Sequence, residues 1–165
     1  MTLLALAFAA GPALAKSTDR QQPMDLSAAN MDALLSDDSV STLEGSVSIR
    51  QGSLEVDADR AEVHRKAGEI DRIVLTGSPA RLRQVSDQGE SMDASAAQVV
   101  YTMSSEVMVL TGNVVINQPR GNLRGETVKY DINTGRLDGG GDGQRVSMRI
   151  LPKAAAPAPA PAPTN

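Results

Sequence analysis

Three Leu-x-Gly triplets limit what this chain can become. The third, Leu110-Thr111-Gly112, leads through Val114, Ile116, Gln118, Gly121 and Leu123 to Gly125-Glu126, then to Val128 and Tyr130. A weaker copy opens at Leu43-Glu44-Gly45 and passes Val47, Ile49, Gln51, Gly52, Leu54 and Val56 to Ala58-Asp59, Ala61 and Val63. Another opens at Leu75-Thr76-Gly77 and passes Pro79, Leu82, Gln84, Gly89 and Met92 to Ala96-Ala97, Val99 and Tyr101. The copies stand roughly thirty-odd residues apart, a period that marks stacked supersecondary units. Within each, apolar and polar residues alternate, as Val47 and Ile49 do against Ser46, Ser48 and Arg50. A period of two belongs to strands, whereas a helix would need apolar spacings of three and four. Each copy therefore reads as a strand, a Gly-marked turn and a second strand. The fold class is all-β, built from repeated antiparallel hairpins.

The same reading places further elements around the repeats. A first strand over 24–27 sets Met24 and Leu26 on one face. A second short strand is expected around Met31, Ala33 and Leu35, ending at the Asp37-Asp38 turn. Repeat one supplies strands over 40–51 and 53–65. Residues 70–77 form the next strand, with Ile73 and Leu75 in phase, and Pro79 interrupts the ladder at an edge or bulge before 82–85. A strand reaching Met103 follows. After repeat three, residues 139–143 read as a loose Gly-rich connection and 145–151 as the last strand.

The ends differ in character from the middle. Residues 1–15 are apolar and close on Ala13-Leu14-Ala15, the small-x-small pattern that precedes secretory cleavage, although nothing basic precedes Leu3. Export and cleavage after Ala15 are expected, and the run is too short to span a bilayer as a helix. Residues 16–23 read as polar and flexible. Residues 153–165 alternate Ala and Pro and read as a disordered, solvated leash that samples polyproline II.

Composition removes several function classes. The chain has no Cys, which excludes disulfides and thiolate chemistry. A net charge of -4 argues against a dedicated nucleic-acid binder. With Phe8 inside the leader, Tyr101 and Tyr130 are the remaining aromatics, too few for base- or sugar-stacking platforms. His64 stands alone, at a strand end and facing away from Val63, so it reads as solvated. Asp57 and Asp59 share an outward face and read as solubilising charges rather than a calcium site. Gly139-Gly140-Gly141-Asp142-Gly143 resembles a calcium-binding repeat that occurs only once, which is read as a turn. No G-x-S-x-G elbow occurs, and Glu106 and Glu126 have no spacing that demands acid–base work. No catalytic residue, metal or cofactor is expected.

Residues 43–65, the 75–84 segment, the 110–130 segment and the Gln22-Pro23-Met24-Asp25-Leu26 entry strand together resemble the periplasmic lipopolysaccharide-transport protein A family, LptA or OstA-like. The resemblance covers nearly all of residues 22–152, which sets the domains as a signal peptide (1–15), an OstA-like domain (16–152) and the Ala/Pro tail (153–165). It implies an incompletely closed, twisted β-jellyroll whose two sheets enclose a slot for the acyl chains of lipid A. It also implies a periplasmic protein that bridges the membranes in outer-membrane assembly. The implied partners are lipopolysaccharide, further copies stacked head to tail, and inner-membrane-anchored and outer-membrane transport proteins carrying related β-modules. The in-phase aliphatics that would line such a slot are Met24, Leu26, Val47, Ile49, Leu54, Val56, Leu82, Met92, Val99, Met108, Leu110, Val114, Ile116 and Leu123, with Val128, Val146, Met148 and Ile150 continuing the pattern. Branched aliphatics and adaptable Met side chains can admit a lipid chain, but the same residues equally describe an ordinary packed core. Arg81, Arg83, Arg120, Arg124, Arg145 and Arg149 have the planar fork suited to phosphate, or simply face solvent. The alternative function is a structural β-module that polymerises, or binds envelope glycan, without carrying lipid. An envelope hydrolase ranks behind both.

Overall fold

In the computed structural model, which describes residues 18–140 and 145–151, a 3-10 turn (Asp19–Gln21) precedes ten antiparallel strands. Two short strands, β1 (Asp25–Ser27) and β2 (Asn30–Asp32), come first. Three long hairpins follow: β3 (Ser39–Gln51) with β4 (Leu54–Lys66), β5 (Glu69–Val85) with β6 (Ser91–Thr102), and β7 (Val107–Gln118) with β8 (Gly121–Asp131). They are the three repeats. β9 (Arg136–Gly139) and β10 (Ser147–Ile150) finish the chain's described part. The leader (1–15) and the tail (153–165) lie outside the described residues, as does most of the 139–143 connection.

The Leu-x-Gly triplets are where the long strands bend. Pairing of β3 with β4 slips between Glu44 and Val47, that of β5 with β6 between Thr76 and Ala80, and that of β7 with β8 between Thr111 and Val114. These are bulges, which kink a strand and increase its twist. In the third copy Gly112 has φ +86, and a Cβ there would lie 2.6 Å from the Cβ of Ala97. In the second copy the Gly is needed for room: a Cβ on Gly77 would come within 2.6 Å of the Ala80 nitrogen.

Because every long strand bends, each contributes to two layers. The segments nearest the hairpin turns, together with β1 and β10, make one sheet; the remaining segments, with β2 and β9, make the other. β1 and β2 lie along β3, and β10 and β9 lie along β8. Among the described residues no pairing joins β1 to β10 or β2 to β9, so the jellyroll is not closed. A single apolar cluster from both layers fills the space between them. Small residues sit along the bend, where Ala58, Ala61, Ala80 and Ala96 are all buried.

Several expectations need correction. Residues 70–85 are one continuous strand, since Pro79 falls in the bulge, where the ladder is already interrupted. β2 contains Met31 alone of its expected trio; the chain then leaves the sheet, and Leu34 and Leu35 are exposed. β9 was not anticipated, and Gly139 belongs to it. Residues 18–22 are ordered against the domain: Asp19 is buried, accepts a hydrogen bond from Ser53 Oγ, and crosses the β3–β4 turn. Met148 and Ile150 face the interior side but remain exposed, because β10 is an outermost strand with little opposite it. His64 is only 21% exposed, hemmed in by Glu62, whose Oε2 lies 3.5 Å from Nε2.

Candidate functional site

Strand alternation converts the in-phase aliphatics into rows that run across the sheets. Leu26, Ile49, Val56, Leu82, Ala94, Ile116, Leu123 and Met148 are successive cross-strand partners from β1 to β10. This one row spans the first sheet from edge to edge. Val47, Leu54, Met92 and Val114 flank it, all buried. In the second sheet Met31, Leu43, Ala61, Leu75, Val99, Leu110 and Val128 form the corresponding row. A further row there contains Val63, Ile73, Tyr101, Met108, Tyr130 and Leu137.

The fourteen sequence-selected residues are thus unevenly divided. Eleven belong to the first sheet, with Met24 and Leu26 half-buried on its β1 side; Val99, Met108 and Leu110 belong to the second. Missing from that selection are Leu43, Ile73, Leu75, Tyr101 and Tyr130, each buried in the second wall. The repeat itself contained the signal. Leu43 and Leu75 occupy the same triplet position as Leu110, so selecting one implied all three.

The interior is not uniformly apolar. Tyr130 on the second sheet donates from Oη to Oε1 of Gln84 on the first, at 3.3 Å. Both residues are buried, and burial, with a smaller contribution from nearby Asp131, pushes the Tyr130 phenol up to about 12. Gln84 is the second-copy equivalent of Gln51 and Gln118. Only in that copy is the Gln buried, and there it meets the phenol.

The walls otherwise pack directly on each other, and apolar surface emerges at the margins. Beside β10, Ile116, Leu123, Leu137, Met148 and Ile150 line a groove of about 140 Å³. That is smaller than the roughly 300–1,000 Å³ typical of a small-molecule pocket, so it is a mouth rather than a complete site. Arg120 and Arg149 stand on its rim. Arg81 and Arg83 occupy a different place, a polar basin on the outer face with Glu55, Asp57 and Asp93, where Arg83 Nε lies 2.8 Å from Asp93 Oδ1. Arg124 and Arg145 are exposed. At the opposite margin, Met31, Leu34, Leu35 and Val40 are exposed around β2.

The chain matches the family model described as LptA/(LptD N-terminal domain) LPS transport protein over residues 26–136. It is 30% identical over 144 residues to the lipopolysaccharide export system protein LptA of Escherichia coli K12, covering 86% of this chain and 77% of that protein. The Haemophilus influenzae protein of the same name is 29% identical over 154 residues, covering 91% and 89% of the two chains. Its fold is similar to the crystal structure of LptH from Pseudomonas aeruginosa, the LptA-homologous periplasmic component of the lipopolysaccharide transport device. The TM-score is 0.74 at 20% identity, over 82% of this chain and 99% of that one.

Proposed function

The chain belongs to the LptA and LptD N-terminal-domain family of lipopolysaccharide transport proteins, and from that premise we propose that it is a periplasmic carrier that takes the acyl chains of lipid A between its two sheets and passes the lipid along without performing chemistry. The observation that supports this reading is the row of inward aliphatics running unbroken from β1 to β10. This row reaches both outermost strands, and at β10 it opens into the apolar groove rimmed by Arg120 and Arg149. Lipid chains enter at that margin, with the two guanidiniums meeting the phosphates of the headgroup. Each methylene removed from water contributes about 0.8 kcal/mol, so ten buried carbons supply roughly 8 kcal/mol before binding costs. No single lining residue has to be special.

In this reading the signal peptide (1–15) directs export, and the domain over 16–152 bridges membrane-anchored and outer-membrane partners through its unpaired edges. Copies associate head to tail, β10 of one against β1 of the next, a contact that propagates because it does not close on itself. The experiment places photoreactive side chains at inward Leu26 and Leu82 and at outward Ser48 and Asn117, in delipidated protein mixed with lipopolysaccharide. Lipid labelling is expected at the inward pair and suppressed by lipid A but not by O-antigen sugar. Labelling at the outward pair alone would overturn the assignment.

The direct packing of the two walls favours a second reading, a polymerising structural module with a permanently dry interior. It predicts no saturable lipid binding, while self-association persists.

A further inference from the structure

The polar bond between the two walls is a feature that packing alone does not require. Besides the tyrosines, the buried polar side chains among the described residues are Asp19, Ser41, Gln84 and Ser86. Three of these serve local turns. Asp19 accepts the Ser53 hydroxyl at the β3–β4 turn, Ser41 exchanges bonds with the Leu34 backbone, and Ser86 Oγ accepts the Glu90 N–H. Gln84 instead reaches across the interior to the Tyr130 hydroxyl. Its equivalents in the other copies, Gln51 and Gln118, are not buried. An apolar pair of the same shape would fill the space at little cost, since exchanging both partners of a buried hydrogen bond is nearly neutral.

The pair also stands where a guest would meet it. Gln84 is next to last in β5 and Tyr130 next to last in β8, at the ends of the two layers away from the bulges. Tyr130 is the cross-strand partner of Leu137, which lines the apolar groove beside β10. A chain admitted past Leu137 has to part the phenol from the amide. Their bond, at 3.3 Å, is already longer than the about 2.7–2.8 Å usual for O–H···O contacts. Once parted in a dry interior, each group carries the desolvation penalty of an unmet polar atom.

Building on the carrier reading, we propose that Gln84 and Tyr130 are a polar reading point in the slot, which selects an acyl chain bearing a hydroxyl group near its head end. A hydroxyl fits the gap from both sides, accepting from the Tyr130 O–H and donating to Gln84 Oε1. The inserted group renews the bond that its entry breaks. A plain methylene chain leaves both partners unmet. An ester or amide carbonyl only accepts, so it leaves the Gln84 oxygen without a donor. Burial holds the Tyr130 proton far above neutral pH, which keeps the donor in place. A hydroxyl far along the chain passes Tyr130 and lies against the aliphatic row, where it finds no partner.

The test is competition between chains. Delipidated protein loaded with a fluorescent polyene fatty acid is titrated with tetradecanoate, 3-hydroxytetradecanoate and 12-hydroxytetradecanoate. The chain hydroxylated near its carboxylate is expected to displace the probe at about tenfold lower concentration than the plain chain. The chain hydroxylated near its far end should need a higher concentration than the plain one. Tyr130→Phe and Gln84→Leu should each shrink the preference. In the double variant the order should reverse, because the hydroxyl then leaves water for no partner. Each ratio is taken within one protein, so a general loss of stability cancels, and Tyr130→Phe, one oxygen lighter, decides alone if Gln84→Leu does not fold. Equal displacement by the plain and hydroxylated chains would overturn the proposal and leave the carrier reading standing. So would a preference that survives in Tyr130→Phe and in the double variant. Failure of the protein to take up the probe at all would remove both.

Discussion

Tyr130 carries the chain's clearest pH dependence. Its phenol sits between the sheets, bonded to Gln84, and is held at about 12 against an ordinary value of 10.0. The folded state thus keeps the proton where the unfolded chain has begun to lose it. This contribution is fully present below pH 10 and is lost as pH rises through 12, up to about 2 kcal/mol in all. A melting series from pH 8 to 12 should fall steeply over the last two units for the native protein. Tyr130→Phe should flatten that fall while costing about 1 kcal/mol at pH 8, since it strands the Gln84 amide oxygen. An equally steep fall in the variant would place the alkaline sensitivity elsewhere.

The elements depend on three glycines that share a triplet position but not a mechanism. At Gly112 a positive φ that any side chain would strain and the crowding a Cβ would meet against Ala97 act together. Gly112→Ala should cost upwards of about 2 kcal/mol, whereas Gly89→Ala, at φ +78 with open space around it, should cost about 1 kcal/mol. Urea unfolding of the two variants tests the order, and a larger loss at Gly89 would refute the account of the bulge. The three hairpins were legible because Leu43, Leu75 and Leu110 recur with the same alternation after each. The bend was not legible: a Gly inside an alternating run signals a bulge without saying that it folds the strand into a second layer. β9 escaped notice because Arg136-Leu137-Asp138-Gly139 holds a single apolar residue, too few for a period. Met148 and Ile150 have the right phase for burial, but phase reports which face a side chain takes and says nothing of whether another strand lies opposite. The site had the same blind spot. Alternation selected the first wall well, whereas Tyr101 and Tyr130 of the second were seen as aromatics and not as lining.

For the whole molecule, the margins are where assembly should be controlled. Removing residues 145–165 takes away β10 and leaves the three hairpins that provide both walls. Such a protein should stay folded and bind lipid but lose concentration-dependent self-association; sedimentation across a concentration series decides it, and equal association in both chains would sink the edge-pairing model. The bulge line has one more consequence. Since β3 to β8 all pass through it, the layers cannot slide apart as separate plates, and they can part only as the two leaves of a book do, turning about a spine of alanines. Room for a guest would then be greatest at the fore-edge, where the β3–β4, β5–β6 and β7–β8 turns lie, and would vanish at the spine. A lipid would be admitted as a taper, and its depth of entry would be set by how far the leaves turn.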